Sequence, residues 1–238
     1  MSLSEIDFAE LEREFCVAPG WPWDLGEAAA SCVRYLGEGF PVYARMLHPL
    51  FEDLSVGDWE QVWEDSEDAD YGRGELEESF PARGLKWHDL AEDLDFDYEP
   101  GMPLRAFLEH LPKGRWPRAL VGPVDGSLDM ERLRQVLRLT REQVNPGSCV
   151  FGWVPQRCFA ETPRAYRGPL ESLSELYDGE HTMGAPSFWG DEARSFRFVA
   201  PPDRPWTLLA GPAAWIEELC EHKPLDAERL DPGFLLRR

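Results

Sequence analysis

Phe8, Leu11 and Phe15 recur at helical spacing behind Ser2-x-x-Glu5, a pair with the form of a capping box, so the chain is expected to open on a helix. Pro19-Gly20-Trp21-Pro22 breaks it. Asp24-x-x-Glu27 repeats the start signal and leads an Ala-rich stretch to Leu36, with Gly37 placed to stop a second helix. The apolar run from Val42 to Leu50 follows Gly39-Phe40-Pro41, and its pattern does not decide its local structure.

Trp59, Val62 and Trp63 suggest a short helix before the dense acids of residues 64–70 and the turn Tyr71-Gly72-Arg73-Gly74, a composition that points to a solvated loop. Order returns at Lys86 to Ala91. Leu104, Phe107, Leu108 and Leu111 form a helical stripe ended by Pro112-Lys113-Gly114. Gly126-Ser127-Leu128-Asp129 starts the best helix in the chain, with Leu133, Val136, Leu137 and Thr140 on its buried face and Asn145-Pro146-Gly147 at its close. Ser148 to Val154, Ser195 to Ala200 and Trp206 to Ala210 read as strands. Gly211-Pro212 then opens a helix with Trp215, Ile216, Leu219 and Cys220 on one side. Helices gather early and strands late without regular interleaving. The pattern predicts an α+β fold with a helical N-terminal part and a mainly antiparallel sheet in the C-terminal half. Residues 1–238 are expected to form a single domain, with an acidic insertion or loop at about 51–86.

Charge sharpens this picture. The net charge is −21 over 238 residues, and residues 51–99 hold eighteen acids against three bases, a local net of −15. Such a field repels phosphate backbones and anionic lipid surfaces, so neither nucleic acid nor membrane is an expected partner. Five cysteines, an odd number with no close pair, and an N-terminus without an apolar leader point to reduced core thiols in a cytoplasmic protein.

Chemistry is harder to find. The chain lacks the glycine-rich phosphate loops, the nucleophile elbow and the helical zinc motif of common enzyme classes. His48, His88, His110, His181 and His222 show no ligand spacing, and neither a metal nor a cofactor is expected. A nucleophile built from Cys149 or Cys158 with His48 is conceivable, but Cys149 reads more simply as a small hydrophobe inside a strand.

Two segments stand out. Tyr43, Arg45 and His48 place a cation and an imidazole in an apolar run, where burial costs free energy unless each is paired. Trp189, with Asp203, Arg204 and Trp206 downstream and Trp153 upstream, offers rings and a guanidinium suited to stacking or anion clamping. Either these eight residues form a ligand or partner pocket, or the arginines pair with acids while the Trp rings plug the end of the sheet. The two segments are expected to lie close together.

The order of short motifs resembles a family of uncharacterised actinobacterial proteins, notably from streptomycetes. The likeness rests on Gly39 to Pro49, on Trp87 with Leu90-Ala91, on Gly126-Ser127-Leu128 leading into a helix, and on Cys149 to Trp153. It continues through Pro186 to Trp189 and Asp203 to Trp206. The chain departs from the family pattern at Gly190 and Gly211, where a longer Trp-rich run and an acidic residue would stand. The resemblance implies an order of motifs and no activity.

Two functions compete on these grounds. The first is a non-catalytic binding protein of immunity or inhibitor type, whose acidic face at Glu64, Asp65, Glu67, Asp68 and Asp70 engages a basic protein partner. The alternative is an enzyme or small-molecule binder that uses the Arg/His/Trp pocket. A flat acidic surface with His48 hydrogen-bonded in the core favours the first, and a polar-lined pocket joining Arg45, His48, Trp189 and Arg204 favours the second.

Overall fold

A computed structural model describes residues 3–15, 30–55, 81–102, 104–111, 114, 117, 119–122, 128–154, 162–178, 185–201 and 204–236. Its centre is an eight-stranded antiparallel sheet that draws on both ends of the chain. In spatial order the strands are β1 (Ser4–Ile6), β8 (Arg164–Gly168), β7 (Cys149–Trp153), β9 (Phe188–Asp191), β10 (Arg197–Val199), β11 (Trp206–Gly211), β3 (Val42–Leu47) and β12 (Ala227–Leu230). Two small antiparallel sheets flank it. One pairs β2 (Ala30–Ser31) with β13 (Leu235–Leu236), and the other sets β4 (Leu50–Asp53) between β5 (Ala82–Leu85) and β6 (Leu120–Val121).

Seven helices are found among the described residues, and they cover both faces of the main sheet. On one face, Tyr43 and Leu47 of β3 join Trp206, Leu208 and Ala210 of β11 in a core closed by α1 (Phe8–Phe15), α2 (Cys32–Leu36), α3 (Trp87–Asp93) and α4 (Leu104–His110). On the other, Val42, Ala44 and Met46 join Leu209, Phe198 and Trp189 beneath α5 (Met130–Gln143), α6 (Ser172–Asp178) and α7 (Ala213–Glu221). A strand covered on both faces carries apolar side chains at odd and even positions alike, so it loses the alternation that marks a half-buried strand. All six residues of β3 are buried, which is why the run from Val42 gave no period.

Helix ends follow local chemistry. Asp129 caps α5 by accepting from the Arg132 amide at 3.0 Å, and Asn145 takes the left-handed conformation just past its end (φ 49°). The buried side of α5 comprises Leu133, Val136, Leu137, Leu139 and Thr140, whose hydroxyl donates to the Val136 carbonyl at 2.7 Å. In α7, Trp215, Ile216 and Leu219 are fully buried, each contributing about 1.5–3 kcal/mol of apolar burial. Trp215 meets Phe196 and Phe198 edge-on, and Trp189 stacks on Phe198 at 4.0 Å, making one aromatic block under this layer.

The N-terminal part is not helical as expected. Ser4–Ile6 pairs with β8, and the first helix starts at Phe8, where the Asp7 carboxylate accepts from the Ala9 amide at 2.9 Å. Asp7 thus takes the capping role assigned to Ser2, because three residues ahead of the helix are held in the sheet edge. Ala30–Ser31 is likewise a strand, and the described helix before Gly37 begins only at Cys32. Gly37 does end it, with φ 91° and its amide bonded to the Val33 carbonyl. The sheet is antiparallel, but strands occur along the whole chain rather than in its C-terminal half. The ends of the acidic stretch are strands too: Phe51 pairs with Gly84 and Glu52 with Arg83. Residues 56–80, with the helix expected at Trp59 to Trp63, lie outside the described residues, as do Pro19 to Pro22, Asp24 to Glu27, Pro112-Lys113 and Gly126-Ser127. None of the described helices is long and apolar enough to cross a membrane.

Close packing explains the glycines at 190 and 211. A Cβ on Gly190 would lie 2.8 Å from the Phe196 carbonyl oxygen, and one on Gly211 would lie 2.7 Å from the Trp215 ring. The strand-to-strand and strand-to-helix contacts there have no room for a side chain. Gly190→Ala is therefore expected to lower stability by about 1–3 kcal/mol, through a forced shift of the β9–β10 hairpin. Denaturant unfolding at an unchanged m-value measures it, and a midpoint equal to wild type would show that the hairpin accommodates the methyl.

Candidate functional site

Arg45 lies in mid β3 on the face covered by α1 to α4, directly opposite Glu228 in the β3–β12 register. Its side chain is only 3% exposed, so its charge requires compensation. Nε donates to Glu228 Oε1 at 2.7 Å, and a terminal nitrogen forms an ion pair with the same carboxylate. The other donors reach the Met102 carbonyl at 3.1 Å and the Tyr98 hydroxyl at 3.2 Å. Tyr98 passes the interaction on, donating to Glu228 Oε2 at 2.7 Å, while the Gly101 amide donates to Oε1 at 2.8 Å. Burial pushes the Tyr98 phenol well above its usual range, so it stays protonated and available as that donor.

His48 follows the end of β3 and is fully buried. Its Nε2 lies 2.9 Å from Thr207 Oγ1, its amide donates to the Pro205 carbonyl at 2.9 Å, and its carbonyl accepts from Trp87 Nε1 at 2.9 Å. It ties the mouth of the β3–β11 pair to the start of α3. Asp226 secures the same corner from a left-handed turn (φ 46°): its carboxylate accepts from the Trp87 amide at 3.2 Å, and its carbonyl from the Leu47 amide at 3.1 Å. Desolvation raises the Asp226 pKa above its ordinary value.

The eight residues singled out in the sequence do not converge. Tyr43, Arg45 and Trp206 share one face, with Trp206 edge-on to Tyr35 at 5.7 Å and the Tyr43 hydroxyl bonded to the Gly37 carbonyl at 2.7 Å. Trp153 and Trp189 belong to the core on the opposite face, Trp153 edge-on to Tyr166. The expected proximity of the two segments holds where Trp206 pairs with Leu47. It fails for Trp189, three strand spacings or about 14 Å from β3 and on the other side of the sheet. Arg204 is half-buried, its amide donating to the Pro201 carbonyl, and Asp203 lies outside the described residues.

The other candidate chemistries fare similarly. Cys149 sits in the core of β7, four strand spacings (about 19 Å) from β3 and the His48 that follows it, so these two form no nucleophile–base pair. Burial pushes the Cys149 thiol up to about 12, and those of Cys32 and Cys220 up to about 11. All three are free thiols, while Cys16 and Cys158 fall outside the described residues. His88, Asp89 and Glu92 bring ligand atoms within 4.8 Å of one another on the exposed side of α3, and nothing beyond proximity marks them as a metal centre.

Glu64, Asp65, Glu67, Asp68 and Asp70 lie outside the described residues, and the acidic stretch continues into the described ones. Helix α3 closes in a Schellman turn, with Asp95 in the left-handed position (φ 55°) and the Phe96 amide bonded to the Ala91 carbonyl at 3.1 Å. From there burial alternates strictly. Leu94, Phe96 and Tyr98 pack against the core, and Asp95, Asp97 and Glu99 are exposed. With Asp89, Glu92 and Asp93 they make six exposed carboxylates between residues 87 and 99, where the sequence has no Lys or Arg. Sequence reasoning missed Tyr98, Glu228 and Asp226. The alternation from Leu94 to Glu99 was a legible signal for Tyr98, whereas nothing local marks Glu228 as the partner of a residue 183 positions away.

Comparison of this chain with protein-family models, with curated proteins and with solved structures finds no match.

Two outcomes follow from the polar network. Glu228→Ala strands a buried guanidinium and should cost about 3–5 kcal/mol in denaturant unfolding. The double change Arg45→Met/Glu228→Leu should recover most of that loss, and equal losses for the single and double variants would contradict the pairing. For Asp226 the folded pKa is raised above the ordinary 3.8, so its ionisation penalises folding as pH rises from there through the raised value. Asp226→Asn keeps an acceptor for Trp87 and suits the left-handed turn. It should be more stable than wild type at neutral pH, with the advantage vanishing below pH 3.8. Thermal melts across that range read the sign directly, and a gap that widens toward acid would refute it.

Proposed function

We propose that the protein is a non-catalytic acidic binding protein that engages a basic protein partner, in the manner of an immunity or inhibitor protein set against a toxin or nuclease. The supporting observation is the ordered acidic ribbon at Asp95, Asp97 and Glu99, continuous with the carboxylates of α3. Carboxylates on backbone anchored by Phe96 and Tyr98 present their charge without the entropy loss of ordering a loop on binding. Its field would steer a basic partner and raise the association rate, an effect that fades as the screening length falls from about 10 Å at 0.1 M salt to about 3 Å at 1 M. The interior agrees with this reading: the Arg45 guanidinium is taken up by Glu228, Tyr98 and Met102, and His48 is hydrogen-bonded in the core. A small-molecule pocket has less support, since the Trp rings it would use lie on opposite faces of the sheet.

The test is kinetic. A partner captured from the native host at low salt and released at high salt would be purified and its association measured from 0.05 to 0.5 M salt. Asp95→Asn/Asp97→Asn/Glu99→Gln should slow association at least several-fold at low salt and flatten its salt dependence, with the fold intact by circular dichroism. The five-site variant at Glu64, Asp65, Glu67, Asp68 and Asp70 should act in the same direction. Unchanged rates and salt slopes in both variants would reduce the acidic stretch to a solubilising feature and overturn the proposal.

A further inference from the structure

The segment that carries the ribbon is fastened in an unusual way. Among the described residues, 96–102 belong to no helix or strand, yet three of their groups converge on one pair of sheet residues. The Tyr98 hydroxyl and the Met102 carbonyl meet Arg45, and Tyr98 and the Gly101 amide meet Glu228. Arg45 and Glu228 are themselves cross-strand neighbours on β3 and β12. The segment is therefore held by side chains to the sheet rather than by a ladder of its own.

We propose that residues 97–102 are a latched strap, a unit that lifts from the sheet and closes again while the sheet stays folded, with the Glu228 carboxylate as its catch. Phe96 marks the fixed end, stacked on His110 at 4.1 Å and edge-on to Phe107 at 5.1 Å, so the movable part begins after it. At the other end Gly101 adopts φ 87°, and Phe234 lies so close that a Cβ there would fall 2.1 Å from its ring. Lifting the strap leaves no charge orphaned, because Arg45 and Glu228 keep each other, and the water that enters replaces Tyr98, Gly101 and Met102 as partners. The segment has no ladder of its own and a self-sufficient site beneath it. Opening therefore costs the latch hydrogen bonds and the Tyr98 ring contacts with Phe107 and His88 but none of the sheet, which places it below the global unfolding free energy. Closed, the strap holds the exposed Asp97 and Glu99 in place; lifted, it frees them and uncovers a guanidinium. This last consequence rests on the proposed acidic binding face, whereas the latch itself does not.

Amide hydrogen exchange on the free protein tests the latch, with Gly101 as reporter because its amide donates to the catch. Tyr98→Phe removes the shared hydroxyl and leaves the ion pair in place. It should speed exchange across 97–102 about tenfold or more while β3, β11 and β12 keep wild-type protection. Gly101→Ala strains the closed form without touching the polar contacts and should produce the same local pattern. Unchanged exchange in 97–102, or acceleration shared equally by β3 and β11, would overturn the strap as a separate unit. Association with the captured basic partner then separates the two proposals. A slower rate in Tyr98→Phe supports both, and an unchanged rate beside locally raised exchange upholds the latch and counts against the acidic-face reading.

Discussion

A guanidinium buried in the middle of a sheet must be neutralised there, and much of this protein's architecture meets that demand. Arg45 stands in β3, flanked by β11 and β12, and its counter-charge comes from Glu228 near the other end of the chain. Pairing costs desolvation of both ions, so the lone pairs of the carboxylate must also be filled. Tyr98 and the Gly101 amide fill them, which brings the chain after α3 over the sheet. The placement of the exposed acids at 95–99 is thus a consequence of a buried cation. Surface charge and core charge are linked through the alternating side chains of one short segment.

The sheet divides the rest of the molecule into two interiors of different character. Beneath α5, α6 and α7 the packing is apolar and aromatic, dominated by Trp189, Phe196, Phe198 and Trp215, and glycines at 190 and 211 let strand and helix approach. On the other face the core is interrupted by polar ties: Tyr43 to Gly37, Arg197 to the Leu36 carbonyl, and Arg45 to Glu228. The first arrangement gains from burial and ring geometry. The second gains specificity of position, since each polar group is satisfied only in one register. The polar side is the one covered by α3 and the segment that carries Asp95, Asp97 and Glu99.

Local signals in the sequence located the long amphipathic helices and three of the central strands. Asp129, Asn145 and Gly37 act where turn and cap chemistry places them. What escaped was decided by distant partners. Ser4 to Ile6 has a helix-start pattern yet becomes a strand because β8 offers it an edge. Trp189, a candidate for the pocket, lies in the buried strand β9. The site suffered in the same way. Spacing correctly flagged Arg45 as a cation in need of a partner, but face assignment depends on strand register, and register separated Trp153 and Trp189 from Tyr43 and Trp206.

The mingling of early and late strands shapes how the chain reaches this state during synthesis. β3 waits for β11 and β12, which lie more than 150 residues downstream, and β1 waits for β8. Such non-local pairing makes for high contact order and slow closure of the sheet. Throughout that interval β3 is an unpaired apolar strand, the kind of segment that invites association between nascent chains. By residue 99 the emerging polypeptide already carries twenty-six acids against six bases. Neighbouring copies on one message therefore repel each other during the period when their central strands lack partners. The lopsided charge of the first hundred residues acts against such association, because like-charged chains repel.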